Sequence, residues 1–91
     1  MSNSLNKVQL IGNLTADPEI KQTPSGVAVA TFSIATNKSW KDAAGIKQEE
    51  VEFHNIVLWR GLADLAEQYL QKGKKVYIEG SLKTRTWDDA A

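Results

Sequence analysis

The chain has no cysteine, which excludes disulfides, thiolate metal sites and a cysteine nucleophile, and leaves the redox compartment open. Its only histidine, His54, lacks the partners that a metal centre or an acid–base pair needs. The formal net charge is zero, so no molecule-wide basic field draws in polyanions, and a binding groove has to rest on charge gathered locally. No apolar run approaches the ~20 residues of a membrane span, and the amino end, Met1 to Lys7, lacks the apolar stretch of a secretory signal. A cytoplasmic protein without a membrane partner is expected. Paired acids and a phosphate-cradling loop are also missing, because Gly73-Lys74-Lys75 has neither the upstream glycine nor the Ser or Thr of a P-loop. Catalysis, a metal and a cofactor are therefore not expected.

Large aromatics stand out against these absences. Trp40 lies in Asn37-Lys38-Ser39-Trp40-Lys41-Asp42, and Trp87 ends Lys83-Thr84-Arg85-Thr86-Trp87. Both settings are polar or basic. Flat rings beside Lys and Arg are what a protein needs to stack unpaired bases and hold the phosphates between them. Lys72, Lys74, Lys75, Lys83 and Arg85 are close in sequence, whereas acid gathers at Glu49, Glu50 and Glu52 and at Asp88 and Asp89.

At 91 residues the chain is one domain, 1–91, with a core thin for its surface. Residues 7–14 alternate as a strand until Ile11-Gly12 breaks the period, as a bulge or bend would. Asp17-Pro18 and Thr23-Pro24-Ser25-Gly26 bracket a short segment, and the second bracket suits a tight reversal. Residues 27–36 read as a strand whose small Ala28 and Ala30 fit a curved barrel wall. Residues 37–50 read as a polar excursion long enough to be a flexible hairpin loop, with Gly45 at its tip and Trp40 near its base. Residues 51–59 place Phe53, Asn55, Val57 and Trp59 on one strand face and His54, Ile56 and Leu58 on the other. Leu62, Leu65, Ala66, Tyr69 and Leu70 recur at helical spacing, with Asp64 in the first turn, Lys72 in the last and Gly73 as the stop. Residues 76–87 return to strand alternation, with Val76 and Ile78 opposite Tyr77, Lys83, Arg85 and Trp87. A helix between the third and fourth strands suggests an all-β OB-fold Greek-key barrel lacking its final strand, its open edges prone to association.

The stretch Asn6-Lys7-Val8-Gln9-Leu10-Ile11-Gly12-Asn13-Leu14 onward to Glu19 resembles the opening of the bacterial single-stranded DNA-binding protein family. Thr23-Pro24-Ser25-Gly26, Ala35-Thr36-Asn37-Lys38-Ser39-Trp40, Phe53-His54-Asn55-Ile56-Val57-Leu58-Trp59, Tyr69-Leu70-Gln71-Lys72-Gly73 and Val76-Tyr77-Ile78-Glu79-Gly80 extend the likeness, collinear over nearly the whole chain. The resemblance implies a homotetramer that wraps single-stranded DNA in replication, recombination and repair, and hence a nucleoid-associated location. It implies base stacking by Trp40, Phe53, Trp59 and Trp87, with Trp and Phe exchanged at 53 and 59 relative to many members. It also implies phosphate contacts by Lys7, Lys72, Lys83 and Arg85, to which the loop cations Lys38 and Lys41 are natural additions. His54 and Tyr77 match subunit contacts. Members carry a disordered tail with an acidic, apolar tip that recruits replication and repair enzymes; this sequence shows none, so such partners are not expected.

Bland readings stand beside each assignment. A strand aromatic such as Phe53 or Trp59 is by default a core residue, and each lysine is by default a solvated surface charge. A dimeric primosomal replication protein of the same fold, a purely structural domain, and an RNA or oligosaccharide ligand are the alternatives that the letters leave open.

Overall fold

Antiparallel strands account for most of the computed structural model, which describes residues 3–83. The order is β1 (Val8–Leu14), β2 (Glu19–Gln22), β3 (Ala28–Lys41), β4 (Lys47–Trp59), α1 (Gly61–Tyr69) and β5 (Lys75–Gly80). Strand β3 is the hub: β2 and β1 share one of its edges and β4 takes the other, while β5 adds to the far side of β1. Among the described residues β4 and β5 do not pair, so the sheet is not closed. The expected all-β chain with one helix and an open barrel is observed.

The turn to β5 is made at Gly12. A Cβ there would lie 2.5 Å from the Ala35 carbonyl oxygen, closer than any side chain tolerates, so only glycine lets β1 press this tightly on β3. Strand β1 then divides its pairing, with Asn13 and Leu14 opposite Ala35 and Ile34 while Val8 to Asn13 face β5. The broken period at Ile11-Gly12 marks this bend.

Alternation decides which side chains go inward. Leu14, Phe32, Ile34 and Ile56 form the central cluster, with Leu10, Leu58, Val76 and Ile78 packed around it. A second cluster joins Ala30 to Ala63 and Ala66. These alanines, all essentially inaccessible, let α1 lie close on β3. The other side of α1 is less covered, because Leu62, Leu65 and Tyr69 stay more than half exposed and border a groove of about 370 Å³ shared with Val76 and Ile78.

Three sequence expectations need correction. Residues 37–50 are no flexible loop: β3 runs to Lys41 and β4 starts at Lys47, with unbroken pairing from Val29↔Trp59 to Lys41↔Lys47. The polar composition reflects solvent on both faces of a projecting ribbon rather than irregular backbone. Its tip is held by Asp42, whose Oδ1 accepts from the Ala44 and Ile46 amides, both at 2.9 Å, while Gly45 takes φ 79°. Second, Glu19–Gln22, the short bracketed segment not counted among the strands in the sequence, is a strand. It is paired with Ala28–Thr31 through the expected Thr23–Gly26 turn, in which the Gly26 amide donates to the Thr23 carbonyl at 2.8 Å. Four residues with one apolar member, Ile20, are too few for a period to show.

Third, α1 ends at Tyr69 and Leu70 is extended, so Lys72 lies beyond the helix. The cation at its C-terminal end is Lys74, whose Nζ donates to the Tyr69 carbonyl at 3.0 Å, where an ammonium is favoured. Of the strand expected over 76–87, the described residues show Lys75–Gly80 as β5; residues beyond 83, Arg85 and Trp87 among them, lie outside the described part. At the other end of α1, Arg60 takes φ 57° and ψ −123°. It is the only non-glycine residue with positive φ among those described, a geometry that costs a side-chain-bearing residue about 1 to 3 kcal/mol.

Candidate nucleic-acid interface

Phe53 and Trp59 lie on the outer face of β4. Their partners across the ladder are Ala35 and Val29, short side chains that leave both rings uncovered, at 68% and 53% exposure. The core reading of these two rings is thereby excluded. Six residues apart on one strand, they are about 20 Å from each other at ~3.3 Å per residue, so they are separate platforms rather than a pair. Asn55 and Val57 lie between them on the same face, and the Ser33 hydroxyl donates to Asn55 Oδ1 at 2.9 Å. This is the face that strand parity picks out in the sequence.

Trp40 is 43% exposed and belongs to the ribbon rather than to a loop. Its partner is Gln48, which gives it the parity of Ile34 and His54 and the face opposite to Phe53 and Trp59. Lys38 Nζ sits 5.6 Å from the centroid of the Trp40 ring, within cation–π range. Trp87 and Arg85 lie outside the described residues.

The cations are distributed rather than clustered. Lys7 is bonded to Glu79 at 2.7 Å, an exposed pair worth little and open to displacement by a phosphate. Asn6 brackets the backbone of Leu82, donating to its carbonyl and accepting from its amide at 2.8 Å each. Lys7 and Lys83 therefore flank the same clamp, a juxtaposition invisible in the sequence. Lys41 faces Lys47 directly across the end of the ribbon, and Lys47 reaches Glu49 at 3.5 Å. Lys72 is fixed through its backbone amide, which donates to Asp17 Oδ1 at 2.8 Å. Lys21, on the outer face beside Val29, is held by Glu19 at 2.8 Å; the hydrogen bond and the charge of that carboxylate raise its pKa. At the ribbon tip the Asp42 carboxyl is lowered by the Ile46 amide and by the Gln48 side chain at 3.1 Å.

His54 lies opposite Ile34 on the inner face and pairs through Nε2 with Thr36 Oγ1 at 2.9 Å. Tyr77 lies opposite Ile11 on the outer face of β1 and β5, where its hydroxyl accepts from Gln9 Nε2 at 3.0 Å; Ile11 and Tyr77 are both more than half exposed. The two expected contact residues are thus on different faces. Among the described residues no group of His, Cys, Asp and Glu is disposed to hold a metal, and no helix is long and apolar enough to cross a membrane.

The model of the single-strand binding protein family matches residues 5–91. Single-stranded DNA-binding protein 1 of Chlorobaculum tepidum is 54% identical over 89 residues, which are 98% of this chain and 55% of that protein. The chain thus spans about half the length of that relative. The structure of a Plasmodium falciparum SSB in complex with single-stranded DNA superposes with a TM-score of 0.89 at 43% identity, covering 96% of this chain and 78% of that one. A deletion variant of the single-stranded DNA-binding protein from Thermus aquaticus follows at 0.83 and 34%, covering 92% and 41%.

Proposed function

The chain belongs to the single-strand binding protein family, and on that premise we propose that it binds single-stranded DNA with little sequence preference, stacking bases on exposed rings and neutralising phosphates with Lys and Arg. The observation that carries the reading is the pair of uncovered rings, Phe53 and Trp59, on a solvent-facing strand. A monomeric domain gains nothing from leaving such surface in water, whereas unpaired bases stack on it whatever their identity. Trp40 with Lys38 supplies a third platform, and Trp87 a fourth. Lys7, Lys83, Lys72, Lys41 and Arg85 serve the phosphates between them. Duplex DNA, with its bases already stacked on one another, binds poorly.

The family is one of non-enzymatic DNA-binding proteins. The single domain 1–91 acts within a homotetramer, with His54 and Tyr77 at subunit contacts, and protects single strands in replication, recombination and repair in the cytoplasm, at the nucleoid. The exposed Ile11–Tyr77 patch and the edges of β4 and β5, unpaired among the described residues, support self-association over a monomer. The complete aromatic set favours this reading over a dimeric primosomal adaptor.

The test is a titration of tryptophan fluorescence with a long oligothymidine, with duplex DNA as the control, over a range of salt. Quenching by the single strand alone, with affinity falling as salt rises at a slope of ~0.7 per phosphate contact, is expected. Equal quenching by duplex, or none by either, overturns the reading.

A further inference from the structure

The outer face that carries Phe53 and Trp59 is poor in available positive charge. From Val29 to Ala35 on β3 and from Phe53 to Trp59 on β4, its members are Val29, Thr31, Ser33 and Ala35 with Phe53, Asn55, Val57 and Trp59. Strand β2 extends that face with Glu19 and Lys21, an exposed pair at 2.8 Å that a phosphate can displace, so Lys21 is the one cation these spans bring to it. A base stacked on Trp59 brings a phosphate on each side, and stacking platforms hold a strand only where cations meet the backbone.

Arg60 follows Trp59 directly. It is exposed, and among the described residues it makes no ion pair. Its backbone is tied at both ends: its amide donates to the Ala28 carbonyl at 2.8 Å, and its carbonyl accepts from the Asp64 amide at 3.1 Å. The fold thus imposes φ 57° on whatever residue stands here, and a Cβ makes that conformation strained. Glycine would relieve the strain, yet glycine occupies the next position, Gly61, where φ is not positive. An arginine kept in a glycine conformation beside an uncovered ring, at the cation-poor end of the face, is hard to explain by core packing, since the residue is exposed.

We propose that Arg60 is a phosphate-contacting residue of the single-strand interface, its guanidinium gripping the backbone of the nucleotide stacked on Trp59. The contact rests on the single-strand reading given above. A guanidinium suits the task because its planar fork meets two phosphate oxygens at once.

The experiment measures fluorescence anisotropy of a labelled oligothymidine across a salt series, with the unchanged chain, Arg60→Gln, Arg60→Lys and Arg60→Gly, and follows thermal unfolding of each. Arg60→Gln keeps the strain and the stem but loses the charge. It is expected to bind about fivefold more weakly, with the salt slope reduced by ~0.7. Arg60→Lys keeps the slope and loses only part of the affinity. Arg60→Gly matches Arg60→Gln in binding while unfolding at the same or a higher temperature, which separates the contact from the fold. If the unchanged chain binds but Arg60→Gln retains both its affinity and its slope, the Arg60 contact is wrong and the parent reading stands. If the unchanged chain does not bind the single strand, the parent reading fails and this contact with it.

Discussion

Trp40 and Phe53 fall on opposite faces of the β3–β4 ribbon: Trp40 is paired with Gln48 and Phe53 with Ala35, one set of even parity and the other odd. A two-stranded ribbon twists more strongly than a full sheet, so a DNA strand touching both rings has to follow that twist or pass over the ribbon edge. The rings share no partner, and their contributions should add. Trp40→Ala and Phe53→Ala are each expected to weaken oligothymidine binding by about 1 to 3 kcal/mol, and the double variant by their sum within ~0.5 kcal/mol. Isothermal titration of the three variants checks this, and a double variant no worse than either single one would refute independent platforms.

The Asp42 carboxylate organises the ribbon tip. Its pKa is lowered, first by the Ile46 amide and then by the Gln48 side chain. A depressed folded pKa means that this stabilisation is complete above the unfolded carboxylate pKa and is lost as pH falls through the folded one. Acid should therefore loosen the tip and, through Gln48, the neighbour of Trp40. In a carboxyl NMR titration the Asp42 midpoint should lie below the ordinary aspartate range, with the Ile46 amide shifting in step; Asp42→Ala should abolish that step.

Gly12 and Gly80 make a matched pair of substitutions. An added methyl at Gly12 meets the Ala35 carbonyl oxygen at 2.5 Å, whereas one at Gly80 meets nothing within 4 Å. Gly12→Ala should lower stability by about 1 to 3 kcal/mol, the usual cost of overpacking, and Gly80→Ala should stay within ~0.5 kcal/mol of the unchanged chain. Urea unfolding at constant slope distinguishes them.

His54 and Thr36 share one half-buried hydrogen bond. Its loss in His54→Ala or Thr36→Val should cost about 1 kcal/mol, and the double variant should lose little more. Should His54 also serve a subunit contact, as proposed, only His54→Ala lowers the mass seen by light scattering at low concentration. Equal masses for both variants would confine His54 to its own subunit.

Parity was the strongest signal in the letters. It put Phe53, Asn55, Val57 and Trp59 on one face and His54, Ile56 and Leu58 on the other, because successive side chains of a strand alternate whatever surrounds it. The alternation fades where both faces meet water, which is why residues 37–50 read as a loop and fold as a ribbon. It fails for Glu19–Gln22, where one apolar residue carries no period and pairing with β3 supplies the order.

Local chemistry thus settled what each segment is able to do on its own: alternate, reverse at Thr23–Gly26, coil from Gly61 to Tyr69, and present rings among polar neighbours. Tertiary structure decided what depends on residues far apart in the chain. It set the clamp that brings Lys83 to Lys7, the opposite facing of Trp40 and Phe53, the pressure of β1 on β3 at Gly12, and the left-handed backbone forced on Arg60 by Ala28 and Asp64. Register and long-range hydrogen bonds arise only when distant strands meet, and a pattern read along one strand has no term for its partner.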